Sequence, residues 1–365
     1  MYVVSSMEEL GKRFPLISKI ILNNIDNKSL ANFRKASKEN RNFLDNERFY
    51  WIRHINKYSE NIEEFKDSWK KVINKTPVEF LKNLTFDVQS FLKTTSTRYE
   101  AQWHPLFIGA EKGSLLLCEH IVKRTGTVNP RRQIDGVTPL SFAAHVGRLE
   151  ICAFLIKHLD DKNPRENDGW TPLHRATQGG HIEVCKLLLD HLDDKNLGNI
   201  NPACNKGVTP LHAAASYGHL EICKILIKDL DDKNPGCQNQ WTPLHFAARN
   251  GHVEICKLLM ESIDNKSPED FNGNTTLHFA SIKGHVDVYK QLIQYLEDIN
   301  PSNIGGWTPL HFASYYGYFE LCEFLSKRIK DLNPYTNSGK TPIYYANDRN
   351  HRAIVSLLRL AQIKN

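Results

Sequence analysis

The sequence predicts an all-α protein, a solenoid of about eight helix–turn–helix repeats preceded by a separate helical module. Three observations carry this. The tetrapeptide Thr-Pro-Leu-His or a near copy begins at Thr138, Thr171, Thr209, Thr242, Thr275, Thr308 and Thr341, with a worn version, His-Pro-Leu-Phe, at His104. The intervals are 34, 33, 38, 33, 33, 33 and 33 residues, and a fixed period of this size marks stacked repeats. Nine residues after each start stands a glycine, at Gly113, Gly147, Gly180, Gly218, Gly251, Gly284 and Gly317; only the last unit has Asn350 instead. Ahead of His104 the period stops and a different helical pattern takes over.

Within a unit, the opening Thr suits a helix N-cap, and Pro at the first helical position loses no hydrogen bond. A short apolar helix such as PLHFAARN follows, and the glycine ends it in the left-handed conformation. A second helix, HVEICKLLMES in the unit at Thr242, gathers Val253, Ile255, Cys256, Leu258 and Leu259 on one side. A turn-rich exit such as DDKNPGCQNQ leads to the next start.

This unit resembles the ankyrin repeat, whose T-P-L-H-x-A signature and period match residues 103–365, about seven-tenths of the chain. The resemblance implies a protein-binding array with a long concave surface and no catalysis of its own. The end of the second helix departs from the family pattern. Where ankyrin repeats place Gly, this chain has Leu159, Leu192, Leu230, Ile263, Leu296 or Ile329, and Pro164, Pro235, Pro268, Pro301 and Pro334 then enforce an extended exit. Altered loop packing is expected, with the stack intact.

The stretch GWTPLHRATQGGHIEVCKLLLD, read alone, suggests a metal site at His174, His181 and Cys185. The repeat removes that suggestion. Cys118, Cys152, Cys185, Cys223, Cys256 and Cys322 all fall fourteen residues after their unit's start. Equivalent helices in a stack lie roughly 8–10 Å apart, beyond the ~7 Å Cα separation a disulfide spans. The thiols are therefore expected to be small apolar core groups. Likewise His174, His212, His245, His278 and His311 form one row and His181, His219, His252 and His285 a second. Two rows along a solenoid do not converge as a metal site requires, so no metal or cofactor is expected.

Before the repeats, residues 1–58 and 59–102 form two further segments. Residues 14–55 run FPLISKIILNNIDNKSLANFRKASKENRNFLDNERFYWIRHI. Their order resembles an F-box: a Leu-Pro-like start at Phe14-Pro15, then Leu22, Ile25, Leu30 and Phe33, and a closing Trp51. Phe14 stands for the usual Leu, Ala36 for Val, and Asn40 where Trp is common. The resemblance implies docking onto Skp1, the acidic adaptor of cullin–RING ubiquitin ligases, through Phe14, Pro15, Leu22, Ile25, Leu30 and Phe33. The other interpretation is a plain helical lid over the first repeat. Residues 59–102 form a helical bridge: NIEEFKDSWKKVI places Ile62, Phe65, Trp69, Val72 and Ile73 on one face, and Thr76, Pro77 and Glu79 open a second helix in capping-box order. No Gly/Ser-rich linker follows, so a stiff junction is expected.

Composition excludes several classes. No 18-residue apolar run exists in the 365 residues, so no membrane span is expected. The start MYVVSSMEELGKRF has no signal-peptide pattern, which points to a cytoplasmic or nuclear protein with reduced thiols. The net charge is +6. Residues 1–100 hold 18 Lys/Arg and 13 Asp/Glu, and the remainder nearly cancels. That surplus is too small to imply nucleic acid. No P-loop, G-x-S-x-G, H-E-x-x-H or kinase signature occurs; before Cys118 there is no Cys, and the first hundred residues hold one His, His54. A non-enzymatic, monomeric binding protein is expected. Either it is the substrate-recognition subunit of an SCF-type ligase, or it is an ankyrin scaffold or inhibitor with no ligase link.

Specificity in such an array belongs to exposed positions that depart from the repeat. The two residues before each helix-ending glycine vary, and aromatic and Arg side chains there are the usual anchors. Tyr217, Arg249, Tyr315 and Tyr316 are the candidates for target binding. Trp170, Trp241 and Trp307, with Trp103, all precede the start motif, as a contact row or as an inter-repeat packing ladder. The five extra residues of the 38-residue unit, LGNIN at 197–201, lengthen one loop, which costs little.

Overall fold

The computed structural model describes residues 104–193 and 200–364. The F-box-like module (1–58), the bridge (59–102), Trp103 and the first three residues of the 197–201 insertion lie outside the described residues. Two compact units divide the chain, residues 1–105 with 119–124, and 106–118 with 125–365. The second holds the array.

Among the described residues the structure is helical without strands, and one isolated bridge joins Glu269 and Thr275. The first helices of the successive units are α1 (Pro105–Lys112), α3 (Pro139–His145), α5 (Pro172–Gly179), α7 (Pro210–Tyr217), α9 (Pro243–Asn250), α11 (Thr276–Lys283), α13 (Pro309–Tyr316) and α15 (Pro342–Asp348). The second helices are α2 (Leu115–Thr125), α4 (Leu149–His158), α6 (Ile182–Asp193), α8 (Leu220–Lys228), α10 (Val253–Ser262), α12 (Val286–Leu292), α14 (Phe319–Ser326) and α16 (Arg352–Lys364). From α3 to α15 each first helix packs on the next, forming one row, and each second helix packs on the first helix of its own unit.

The local chemistry makes these helices start and stop where they do. Thr138, Thr171, Thr209, Thr242, Thr275, Thr308 and Thr341 are extended N-caps, and Pro follows in all but the unit at Thr275. The glycine closing α9, Gly251, has φ +83° and seats the His285 ring of the following unit: a Cβ there would lie 2.9 Å from that ring. Both demands exclude a side chain. In the last unit Asn350 takes φ +62° in the same place, a conformation Asn tolerates.

The core sits between the two helix rows. Leu140, Leu173, Leu211, Leu244, Leu277 and Leu310, the Leu of each start motif, are fully buried, as are Cys118, Cys152, Cys185, Cys223, Cys256 and Cys322. In the unit at Thr275, Tyr289 replaces Cys and is fully buried, its hydroxyl donating to the Ile299 carbonyl. There α12 is shortened and passes into a 3₁₀ turn, Ile293–Tyr295. The exits after the second helices are extended at Leu159, Ile263 and Leu296, as expected ahead of Pro164, Pro268 and Pro301, whereas the caps Asp229 and Lys327 are not extended.

Those exits also cap the helices that follow them. The Asn of four of the six Asn-Pro pairs turns its Oδ1 to the next first helix: Asn129, Asn201, Asn234 and Asn300 accept from the N–H of Leu140, Leu211, Leu244 and Leu310 at 3.1, 3.1, 3.2 and 3.2 Å, whereas the buried Oδ1 of Asn333 has no hydrogen-bond partner. Each of the four satisfies an amide that the first turn would leave unpaired. Asn201 ends the insertion and keeps this bond, so the extra residues leave the helix start in register.

Candidate protein-binding surface

Three ladders tie unit to unit, and two are built from histidine. In the start motif His174, His212, His245, His278 and His311 accept the N-cap Thr N–H at Nδ1, at 3.2, 3.1, 3.0, 3.0 and 3.0 Å. An acceptor Nδ1 leaves the proton on Nε2. Nε2 donates to a carbonyl of the next unit: Val208, Trp241, Asn274, Trp307 and Lys340 at 3.0–3.3 Å. All five rings are fully buried, and burial pushes each pKa down to about 4. In the second row His181, His219, His252, His285 and His351 reach back to the carbonyls of His145, Gln178, Ser216, Arg249 and Tyr315. The third ladder is backbone, running along the loop tips: Asn205, Gln238, Phe271, Ile304 and Asn337 donate to Asp168, Lys206, Asn239, Asn272 and Gly305. Histidine here links repeats; among the described residues no His, Cys, Asp and Glu gather as a metal would require.

Burial pushes the thiols of Cys152, Cys185, Cys223 and Cys322 up to about 12, and that of Cys256 up as well. None of the eight cysteines is in a disulfide, and Cys237 alone is not buried. A thiol reagent that needs the thiolate is therefore expected to modify about one group in the native protein and the other seven only on unfolding. Chelators and mild reductants should leave the melting curve unchanged. Rapid native labelling of several thiols, or a melting point lowered by EDTA, would contradict this assignment.

The residues picked as target anchors lie along the first-helix row and the loops before it. Tyr217 is 52 % exposed, and its hydroxyl accepts from Gln178 Nε2 at 2.9 Å. Arg249 lies 5.0 Å over the Trp241 ring. Tyr316 is 47 % exposed, edge-on to Tyr315 at 4.9 Å. Tyr315 is half-buried, covered by the Arg349 guanidinium 4.2 Å above its ring.

Trp170, Trp241 and Trp307 are half-buried. Trp241 meets Phe279 of the next unit at 4.7 Å, and its Nε1 donates to Asp270 at 3.3 Å. Trp307 meets Tyr345 of the next unit at 4.4 Å and Phe312 of its own at 4.9 Å. Trp170 packs within its own unit, 4.7 Å under Arg175, which is held in turn by the buried Glu166. At Trp241 and Trp307 the structure thus displays inter-repeat packing. Phe271 and Ile304 are also exposed, at successive loop tips; the signal for them in the sequence is an apolar residue four positions before the start motif.

A row of short helices with variable exposed ends is the architecture of a protein–protein interaction module. The family comparison agrees: ankyrin repeats, in a three-copy form, match residues 106–199, 159–235, 195–269, 230–303, 261–334 and 296–364. The chain belongs to the ankyrin-repeat family. The same comparison finds no F-box domain, and no curated protein matches the chain. No described helix is long and apolar enough to cross a membrane.

Proposed function

We propose that the chain is the target-recognition subunit of an SCF-type ubiquitin ligase: residues 1–58 dock a Skp1-like adaptor and the ankyrin array holds the target protein. The observation that carries the adaptor half is the F-box order of Phe14, Pro15, Leu22, Ile25, Leu30 and Phe33 ahead of a protein-binding array. Catalysis lies wholly in the partners, and the array brings the target to them. The protein acts in the cytoplasm or nucleus, where such ligases work.

The test is direct binding of the purified chain to purified Skp1. The wild type is expected to bind, and the paired substitution Pro15→Ala with Leu30→Ala to lose about 100-fold or more, since losing two interface anchors costs a few kcal/mol. Unchanged helicity and melting of the array separate lost docking from lost folding. Absence of wild-type binding at tens of micromolar, with the fold intact, overturns the ligase reading. A second reading then stands, favoured by a family match that begins at residue 106: a non-catalytic scaffold or inhibitor whose N-terminal helices only cap the array.

A further inference from the structure

Charge is sorted between the two helix rows. The second helices α4, α6, α8, α10, α12 and α14 each carry a carboxylate in the first turn, at Glu150, Glu183, Glu221, Glu254, Asp287 and Glu320. That placement suits their N-terminal dipoles. The first helices α3 to α13 carry no carboxylate at all. Their cations are Arg175, Arg249 and Lys283. Arg175 is neutralised by Glu166. Arg249 and Lys283, in consecutive units, have no ion-pair partner among the described residues. The adjacent loop carboxylate, Asp270, is buried and already accepts from Trp241, Asn272 and Asn274.

Aromatic side chains flank this unpaired pair on both sides. Tyr217 precedes Arg249 by one unit, and Tyr316 follows Lys283 by one unit, at the same one or two positions of their helices. Read along the row, the order is aromatic, cation, cation, aromatic. Exposed Phe271 and Ile304 stand at loop tips of the units carrying Lys283 and Tyr316.

We propose that this edge binds an extended acidic segment of the target protein, with two carboxylates between apolar or aromatic side chains. This deepens the target-binding half of the proposed function and rests on it. Equivalent positions in adjacent units lie about 10 Å apart, and an extended chain advances about 3.3 Å per residue. The four contacts therefore fall about every third residue, and a segment of about twelve residues covers them. The two carboxylates meet Arg249, whose position over Trp241 is already set, and Lys283. The flanking side chains lie on Tyr217 and Tyr316, where aromatic area anchors binding at little entropic cost. Nucleic acid would also meet cations and rings, but two unpaired cations beside exposed Phe271 and Ile304 suit a peptide better than a phosphate at every residue.

The test is selection from a displayed library of random peptides of about twelve residues on the full chain, beside the variant Arg249→Glu/Lys283→Glu. Both positions are accessible, and circular dichroism checks that the variant folds. Wild-type selections are expected to enrich pairs of acidic residues about three apart with apolar neighbours. A synthetic copy of the most enriched peptide should bind the variant at least about tenfold more weakly, as like charges now face each other. The variant should enrich basic pairs instead. Selections with no enriched peptide, no acidic bias, or the same bias in the variant overturn the proposal, and so does displacement of the peptide by single-stranded polyuridylate of equal length. Skp1 binding is measured on the same two proteins and is expected to be equal. A failed selection with intact Skp1 binding discards the acidic-segment inference alone, whereas lost Skp1 binding discards the ligase reading.

Discussion

Acidification from about pH 7.5 to about pH 5.5 is expected to remove on the order of 7 kcal/mol of folding free energy from the array, a large part of the stability of a typical domain. The cause is the buried row His174, His212, His245, His278 and His311. Each holds its Nδ1 lone pair to a backbone N–H and its Nε2 proton to a carbonyl of the next unit. A proton on Nδ1 would set N–H against N–H at the N-cap. Burial therefore holds each folded-state pKa near 4, against 6.5 for the free side chain. The folded pKa is the lower one, so between the two values the unfolded chain binds more protons. This contribution is complete above pH 6.5 and is lost as pH falls toward 4. Linkage gives about 1.4 kcal/mol per group at about pH 5.5, and five groups act together, against a total of about 5–15 kcal/mol for a typical domain.

Urea unfolding monitored by circular dichroism across this range measures the slope. The variant His245→Gln/His278→Gln keeps an acceptor for the N-cap N–H, as a capping-box Gln does, and removes two of the five titrating rings. Its stability should fall about two-fifths less steeply with pH, whatever its stability at neutral pH. A wild-type midpoint that does not move between about pH 7.5 and about pH 5.5, or an unchanged slope in the variant, would show that the buried row does not govern acid stability.

Removing residues 341–365 is expected to destabilise the remaining repeats by several kcal/mol and to cause aggregation. The last unit covers its neighbour: Tyr345 lies on Trp307, Ile354 and Leu358 are buried, and α16 packs on α14. A terminal repeat must hide the apolar face before it, and each aliphatic side chain removed from water contributes about 1.5–3 kcal/mol. A terminal unit that hides its neighbour's apolar face calls for Ile343, Ile354, Leu357 and Leu358 inside and Arg349, Arg352 and Arg359 outside. The arginines are exposed, but Ile343 and Leu357 are only half-buried, and Tyr344, Leu360 and Ile363 are exposed. These side chains lie at the rim of the described array. Light scattering and thermal melting of a chain ending at Lys340, beside Tyr345→Ala, test the cap: the truncation should aggregate and the point variant should melt lower yet stay monomeric. A truncated chain as stable and monomeric as the whole would refute it.

What the sequence by itself determined is everything that recurs locally. Thr and Pro start helices, Gly with positive φ ends them, and the 33-residue interval specifies the unit; these depend on neighbours a few residues away, so they are legible without a structure. The Cys row was legible for the same reason, because a position repeated at a constant offset must share one environment. What only the tertiary structure decided are the partners across units. That His212 donates to Trp241, that Asn234 caps the helix opening at Pro243, and that Trp307 lies against Tyr345 are contacts between residues 29, 10 and 38 positions apart. The Tyr289 hydroxyl found the Ile299 carbonyl only because the stack buried both. The candidate surface divides in the same way. Its side chains were visible as departures from the repeat, but that Arg249 and Lys283 have no ion-pair partner among the described residues depends on which carboxylates the packing brings near, and periodicity carries no record of that.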